Sequence, residues 1–350
     1  MTARKVPQMP QTQTPRDARD DGVVYAKTRE GFDLPVIDVS HPAFAVPEDA
    51  DAKRAQQEAF IAWERRSRRF PQFLTRMMLR SAAKRSLLIR AMFESGKEFL
   101  DGISTYVLKL GEDNLPPPFD GPADRRFVAG PRFVQVRLRT QQMARLLSEA
   151  LAEPLALQPA APLHLINIGG GPAIDSINTL ILLNRDRPEV LQRPIVINVL
   201  DADSDGAFFG ANALAALKAK GGPLHGLDAV LEHRAYNWNE PAALDELIRR
   251  LASQGAFLAA SSEGALFEYG SDDAIIANLK ALNGGGAGAK LVAGSVTRAD
   301  EMRQRMIAAT PLKLYPRGLE GFAPLASQAG FAIAKVEPSL LSDQVLLRYG

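Results

Sequence analysis

The stretch Leu163-His-Leu-Ile-Asn-Ile-Gly169-Gly170-Gly171-Pro172-Ala173-Ile174-Asp175 decides how the rest of this 350-residue chain is read. A short apolar run, a glycine cluster and an amphipathic segment spell strand, tight turn and helix. Glycines suit such a turn because the backbone must reverse sharply and stay open to a ligand, and a side chain would fill that space. The helix that follows turns unpaired amides toward the same space. A glycine cluster alone is equally compatible with a purely structural turn.

Downstream, short apolar runs alternate with helix-length segments, the pattern of a parallel sheet with crossover helices. Strands are expected at Leu163–Ile168, Ile195–Leu200, Ala229–His233, Phe257–Ala260 and Leu291–Ser295. Ala332–Val336 and Gln344–Arg348 are separated by too few residues for a crossover helix, so they should form an antiparallel hairpin at the end of the sheet. The second strand runs directly into Asp201, a position from which one carboxylate can accept both hydroxyls of a ribose. Asp203, Ser204 and Asp205 behind it read as a helix cap. Together the glycine turn and Asp201 favour an adenosine-type cofactor.

The dinucleotide fingerprint fits poorly: Gly169-x-Gly171-x-x-Ile174 lacks the third glycine, and Asp201 follows Gly171 by thirty residues where about twenty are usual. Gly284-Gly-Gly-Ala-Gly-Ala-Lys290 superficially resembles a phosphate loop, yet it lacks the glycine before the lysine and the hydroxyl residue after it, and it precedes a strand. It reads as a flexible connection.

Upstream of about residue 155 helical patterns dominate: Ala50–Arg66, Phe70–Glu94, Lys97–Leu110 and Arg132–Ala152, with one strand-like run at Asp33–Val39. Residues 1–30 read as a disordered tail, polar and without a secretory apolar core, 31–131 as a helical cap, and 132–350 as the sheet-bearing domain. Between Lys53 and Arg90 eleven Lys or Arg face two Glu, whereas the whole chain carries only +2. Arg76, Arg80 and Lys84 repeat every four residues, opposite Phe70, Phe73, Leu74, Met77 and Met78, as in an amphipathic basic helix. It is either a solvated face or an attractor for an anionic substrate, an acidic partner or a membrane surface. No nucleic-acid module accompanies these arginines.

The chain has no cysteine, which excludes disulfides, thiolate metal ligands and a cysteine nucleophile. Its four histidines, His41, His164, His225 and His233, are not spaced as zinc ligands, so no metal is expected. No apolar run approaches the roughly 18–20 residues of a membrane span, and the expected location is cytoplasmic.

These features resemble the class I S-adenosylmethionine-dependent methyltransferases. In that superfamily strand one ends in an acidic-x-Gly-x-Gly-x-Gly loop, strand two ends in a ribose-binding acid, and the sheet closes with a reversed last strand. Here Gly169 and Gly171 match, Ala173 stands for the last glycine and Asn167 for the leading acid. The resemblance covers about residues 132–350. Within it, the leucine carboxyl methyltransferase-like branch is similar in its Arg-Thr pair before strand one (Arg139-Thr140), an Asp in the glycine loop (Asp175) and a Glu-Gly stretch after strand four (Glu263 to Tyr269). Glu232-His-Arg234 and Trp238 approximate its Asp-Leu-Arg and Trp after strand three.

The resemblance implies a Rossmann-like α/β fold and S-adenosylmethionine as cofactor. Its methionine part would lie against Gly169, Gly170, Gly171 and Ala173, its ribose on Asp201 beside Ala202, and its adenine near Glu232, Tyr236 or Asn237. Arg139 would pair the methionine carboxylate or a substrate carboxylate, or be an exposed helix arginine. Asp175 would face the ammonium group, or serve as a first-turn acid. Glu263 would line the pocket and Tyr269 or Tyr315 orient the acceptor; alternatively Glu263 begins a helix and the tyrosines pack under the cap. His233 reads as structural and Trp238 as a core or loop anchor. The implied reaction is methylation of a small-molecule acceptor at oxygen. A nicotinamide-dependent oxidoreductase, a non-catalytic S-adenosylmethionine-binding protein and an aminopropyl transferase are the alternatives.

Overall fold

The computed structural model describes residues 21–67, 77, 80–94, 101–308 and 312–349. Its frame is a seven-stranded sheet built from β3 (Leu163–Ile168), β4 (Ile195–Asp201), β5 (Ala229–Ala235), β6 (Phe257–Ser262), β7 (Leu291–Thr297), β8 (Phe331–Pro338) and β9 (Ser342–Tyr349), in the order β5-β4-β3-β6-β7-β9-β8. All pairings are parallel except those of β9, which runs antiparallel between β7 and β8. The expected closing hairpin is therefore present, and the reversed strand is inserted beside β7 while β8 takes the edge. This is the mostly parallel, Rossmann-like α/β sheet with an antiparallel hairpin at its end that the sequence led us to expect.

Helices cover both faces, which is why β3, β6 and β7 are buried nearly throughout and read as continuous apolar or small-residue runs. The helices Pro131–Leu157, Ile174–Asp186 and Ser204–Lys218 share one core, and Ala242–Ser253, Asp272–Asn283 and Gly318–Gln328 the other. The strand order turns around between β3 and β6, so the chain leaves β3 toward β4 and β6 toward β7 in opposite lateral directions. A crevice opens there at the carboxyl edge of the sheet.

The N-terminal residues join the first of these cores. Leu34, Val36, Ile37, Phe44, Tyr106 and Val107 are buried in one cluster with Leu147, Ile177 and Phe209. Two polar side chains hold this segment down. Tyr106 donates its hydroxyl hydrogen to Pro35 O and accepts the Ile37 amide at 3.0 Å, while Asn178 accepts the Val39 amide at 2.7 Å and donates to Ile37 O at 2.9 Å.

Several local expectations change. Of the expected tail, residues 1–20 lie outside the described residues, but Tyr25–Lys27 forms β1, antiparallel to β2 (Asp33–Pro35). Three residues are too few to show a strand period in sequence. The strand expected over Asp33–Val39 stops at Pro35, after which the chain bonds Asn178 and Tyr106 instead of another strand. Much of the basic segment, residues 68–76, 78 and 79, lies outside the described residues. The helix expected to run from Phe70 to Glu94 is broken by a turn at Lys84–Arg85. Ser86 then starts Leu87–Glu94: its hydroxyl accepts the Ile89 amide, and the buried Asp124 carboxylate accepts from the Ser86 hydroxyl and the Leu88 amide. Among the described residues no helix is long and apolar enough to cross a membrane.

Tyr106→Phe would leave the Ile37 amide and the Pro35 carbonyl buried without a partner. The expected loss is about 1–3 kcal/mol of unfolding free energy, read from the urea midpoint at unchanged slope. An unmoved midpoint would show that the hydroxyl does not anchor this segment.

Candidate functional site

The turn after β3 contains three left-handed residues: Gly169 at φ 68°, Gly171 at φ 53° and Ala173 at φ 53°, the last being the one non-glycine residue with positive φ among the described residues. Gly170 is required for another reason. A Cβ there would lie 2.0 Å from Asn167 Oδ1. Asn167 is folded beneath the loop, where its amide donates to Asp175 Oδ1 at 2.8 Å and to the hydroxyls of Ser176 and Ser261, both at 3.1 Å. An acid at 167 would set two carboxyl groups against each other, so Asn167 and Asp175 form a matched pair with the carboxyl moved onto the helix.

Asp201 closes the turn from the neighbouring strand. Its Oδ2 accepts the Gly171 amide and its Oδ1 the Asp203 amide, each at 2.8 Å. Burial still pushes its pKa up against these two bonds. Asp203 caps the next helix, as expected, and its other oxygen accepts the Gly102 amide at 3.0 Å. Three backbones converge here: a Cβ on Gly206 would lie 2.9 Å from Gly171 Cα, and one on Gly102 3.1 Å from Gly206 Cα. The helix Gly102–Val107 thus rests its first residue on the glycine loop.

The loop and Asp201 form one wall of a cavity of about 1570 Å³, large beside the roughly 300–1,000 Å³ usual for ligand pockets. Gly169, Gly170, Gly171, Asp201, Ala202, Asn237, Glu263, Arg139, Tyr269 and Tyr315 all face it. An adenosine-type group fits this wall: the Gly169–Gly171 stretch carries no side chain, and each Asp201 oxygen keeps a lone pair after accepting one amide. Trp238 and Ala265 bound it from the side, since a Cβ on Gly169 would meet Ala265 Cβ at 2.7 Å and the indole at 3.0 Å.

Three expected site residues are placed elsewhere, the first of them Ala173, whose methyl group is wholly buried and forms no part of the cavity wall. Asp175 is buried beneath the loop with Asn167, and the cavity wall does not include it. Glu232 is exposed on edge strand β5 and pairs with Arg234 at 3.0 Å, away from the cavity. Neither His233 nor any other histidine lines the cavity; the His233 ring is 2.9 Å from Asp201 O, a structural contact. Among the described residues no group of His, Asp and Glu could hold a metal ion.

Arg139 reaches the cavity with its guanidinium already engaged. It donates Nε–H to Glu263 and pairs with Glu268 at 3.2 Å, and Lys109 takes the other Glu263 oxygen. All four side chains are almost wholly buried. Gly264 makes room, because a Cβ there would lie 2.3 Å from Arg139 Nη2. Burial opposes the charge on Glu263, but Arg139 and Lys109 outweigh it and hold the carboxyl down at about 2. Sequence reasoning missed Lys109, Glu268 and Arg303, whose helical settings look like solvated faces. Burial pushes the Tyr269 phenol well above its ordinary value, and Tyr315 lies under the Arg317 guanidinium, 4.7 Å from its ring centre.

Asp175 supplies a pH test of this arrangement. Burial, with the Glu263 charge, raises its pKa above the ordinary 3.8, and its Oδ2 is buried without a hydrogen-bond partner. A carboxyl raised on folding costs stability as pH climbs from its unfolded value through its folded one. Asp175→Asn should therefore stabilise the protein more at pH 7.5 than at about pH 4, as measured by denaturant unfolding. A gain independent of pH would contradict the raised carboxyl.

No family model matches the chain, and no curated protein does either. Solved structures do resemble it. A possible exported protein from Bordetella parapertussis aligns at 16% identity and TM-score 0.50 over 86% of this chain and 99% of that one. Magnesium protoporphyrin IX methyltransferase from Synechocystis PCC 6803, solved with bound SAH, aligns at 12% identity and TM-score 0.40 over 63% of this chain and 87% of that one. The mitomycin 7-O-methyltransferase MmcR aligns at 14% and 0.37 over 63% and 57%. At these identities the likeness is one of fold, and the Bordetella protein shares the fold over nearly the whole length of both chains.

Proposed function

We propose that this chain is a methyltransferase of the class I type that uses S-adenosylmethionine and methylates an oxygen of a small, anionic acceptor. One observation carries the reading: at the point where the sheet order reverses, a side-chain-free glycine backbone and the Asp201 carboxylate face the same cavity. The leucine carboxyl methyltransferase-like placement draws its support from Arg139, Glu263 and Tyr269, which meet at this cavity in the order the resemblance implies.

Gly169–Gly171 would hold the methionine part, Asp201 the ribose hydroxyls, and Asn237 and Trp238 the base. When bound, the cofactor supplies a methyl group on a positively charged sulfur. The work left to this chain is to align the acceptor oxygen and exclude water. The helix Gly102–Val107 closes one side of the cavity and the buried Lys109–Glu263–Arg139–Glu268 cluster stiffens another.

Proton removal has weak support at this wall. Glu263 is pinned between two cations with its carboxyl near 2, the Tyr269 phenol is pushed up by burial, and no histidine is present. Such a lining suits an acceptor whose oxygen arrives ionised, a carboxylate above all.

Calorimetric titration with S-adenosylmethionine, S-adenosylhomocysteine and NAD tests the reading. The first two should bind one per chain and NAD should not; saturation by NAD, or no binding of S-adenosylhomocysteine, would end it. Asp201→Asn, which keeps one acceptor for the loop amides, should weaken S-adenosylhomocysteine by about 1–3 kcal/mol. Unaltered affinity would remove Asp201 from the ribose site.

A further inference from the structure

The cavity wall carries a buried cation, Arg303, that none of the carboxylates near it pairs among the described residues. Lys109, Arg139 and Arg303 gather there with Glu263 and Glu268. Lys109 and Arg139 take both carboxylates, and no ion pair reaches Arg303 among the described residues. Arg303 lies on Glu301–Ala308, the first helix after β7, and is only 9% exposed. Its Nε is buried without a hydrogen-bond partner. Burial pushes its pKa down; Glu268 opposes that and Arg139 adds to it. Asp300, just ahead of that helix, pairs with Arg298 at 3.0 Å and accepts the Arg303 backbone amide at 2.9 Å.

A guanidinium stays charged at any working pH, and one left unpaired in a buried wall is destabilising until an anion reaches it. The neighbouring wall is aromatic. Tyr269 is close enough to feel the Arg303 charge, and Tyr315 hangs from Glu268 by a backbone hydrogen bond of 2.9 Å. A second guanidinium on this wall, Arg132, stacks on Phe127 and Phe133 at 4.7 and 4.6 Å from their centroids and has no carboxylate partner among the described residues.

We propose that Arg303 is the anion-binding group of the acceptor site, and that the acceptor is an aromatic carboxylic acid whose carboxylate Arg303 holds while its ring lies along Tyr269 and Tyr315. The proposal rests on the methyltransferase reading above and adds to it the substrate class and the residue that selects it. A planar guanidinium takes a carboxylate through two parallel hydrogen bonds, which orients the ring as well as attracting the charge.

The test is calorimetric titration of the full chain, saturated with S-adenosylhomocysteine, with benzoate and with its neutral analogue benzamide. The parent should prefer benzoate by about tenfold or more, as one charge-assisted pair allows. Arg303→Met should abolish that preference and Arg303→Lys restore part of it, with S-adenosylhomocysteine affinity unchanged in both. Ligand-free Arg303→Met should also melt higher than the parent, because it no longer buries an unpaired charge. No benzoate binding, equal binding of the two probes, a preference that survives Arg303→Met, or a lower melting temperature would overturn the proposal. A large loss of S-adenosylhomocysteine affinity in Arg303→Met would assign the guanidinium to the cofactor's carboxylate and overturn it too. Should the parent fail to bind S-adenosylhomocysteine, the methyltransferase reading fails separately, and the same benzoate and benzamide titrations on the ligand-free chain still decide the anion site.

Discussion

The carboxylate of Asp201 accepts the Gly171 amide with one oxygen and the Asp203 amide with the other, and so ties the loop after β3, the strand beside which the sheet order reverses, to the end of β4. Without that tie the glycine loop, with three left-handed residues in five, would have little to hold its shape. From it follow the start of Ile174–Asp186, the start of Ser204–Lys218 through the Asp203 cap, and the seat of Gly102 against Gly171 and Gly206. One acid therefore shapes the loop and still offers lone pairs to a ligand in the cavity.

A second constraint is electrostatic. Lys109 comes from the N-terminal part, Arg139 from the long helix before β3, and Glu263 and Glu268 from the residues after β6. Buried ion pairs of this kind gain little net stability against their desolvation, but removing one partner strands the others, so the cluster locks a geometry more than it strengthens a fold. It joins the N-terminal segment to the carboxyl edge and takes up the two carboxylates near Arg303, whose Nε is left buried without a hydrogen-bond partner.

Much of the frame was legible in sequence because each signal was local. The apolar run before Gly169, the acid placed directly after Leu200 and the short connection before Gln344 each admit few structures, and the sheet contains all three as read. The site was less legible because its contacts are long-range. Arg139 is followed 124 and 129 residues later by the carboxylates it pairs with, and spacing along a helix says nothing of them. Glu232 follows the parity of an edge strand whose register with β4 turns it to solvent. Asp175 looked like a ligand at a helix start, whereas the amide of Asn167 draws it under the loop. Arg303, in a run of charged residues, reads as surface until β7 and the cavity are in place.

The central claim is that a nucleoside lies on the bare glycine backbone with its sugar on Asp201. Diffraction from crystals of the chain with S-adenosylhomocysteine measures this directly. The account predicts both ribose hydroxyls within hydrogen-bond distance, about 2.5–3.0 Å, of the Asp201 carboxylate, and the homocysteine part along Gly169–Gly171. A nucleoside bound elsewhere in the cavity, with Asp201 bonded only to its two amides, would contradict it.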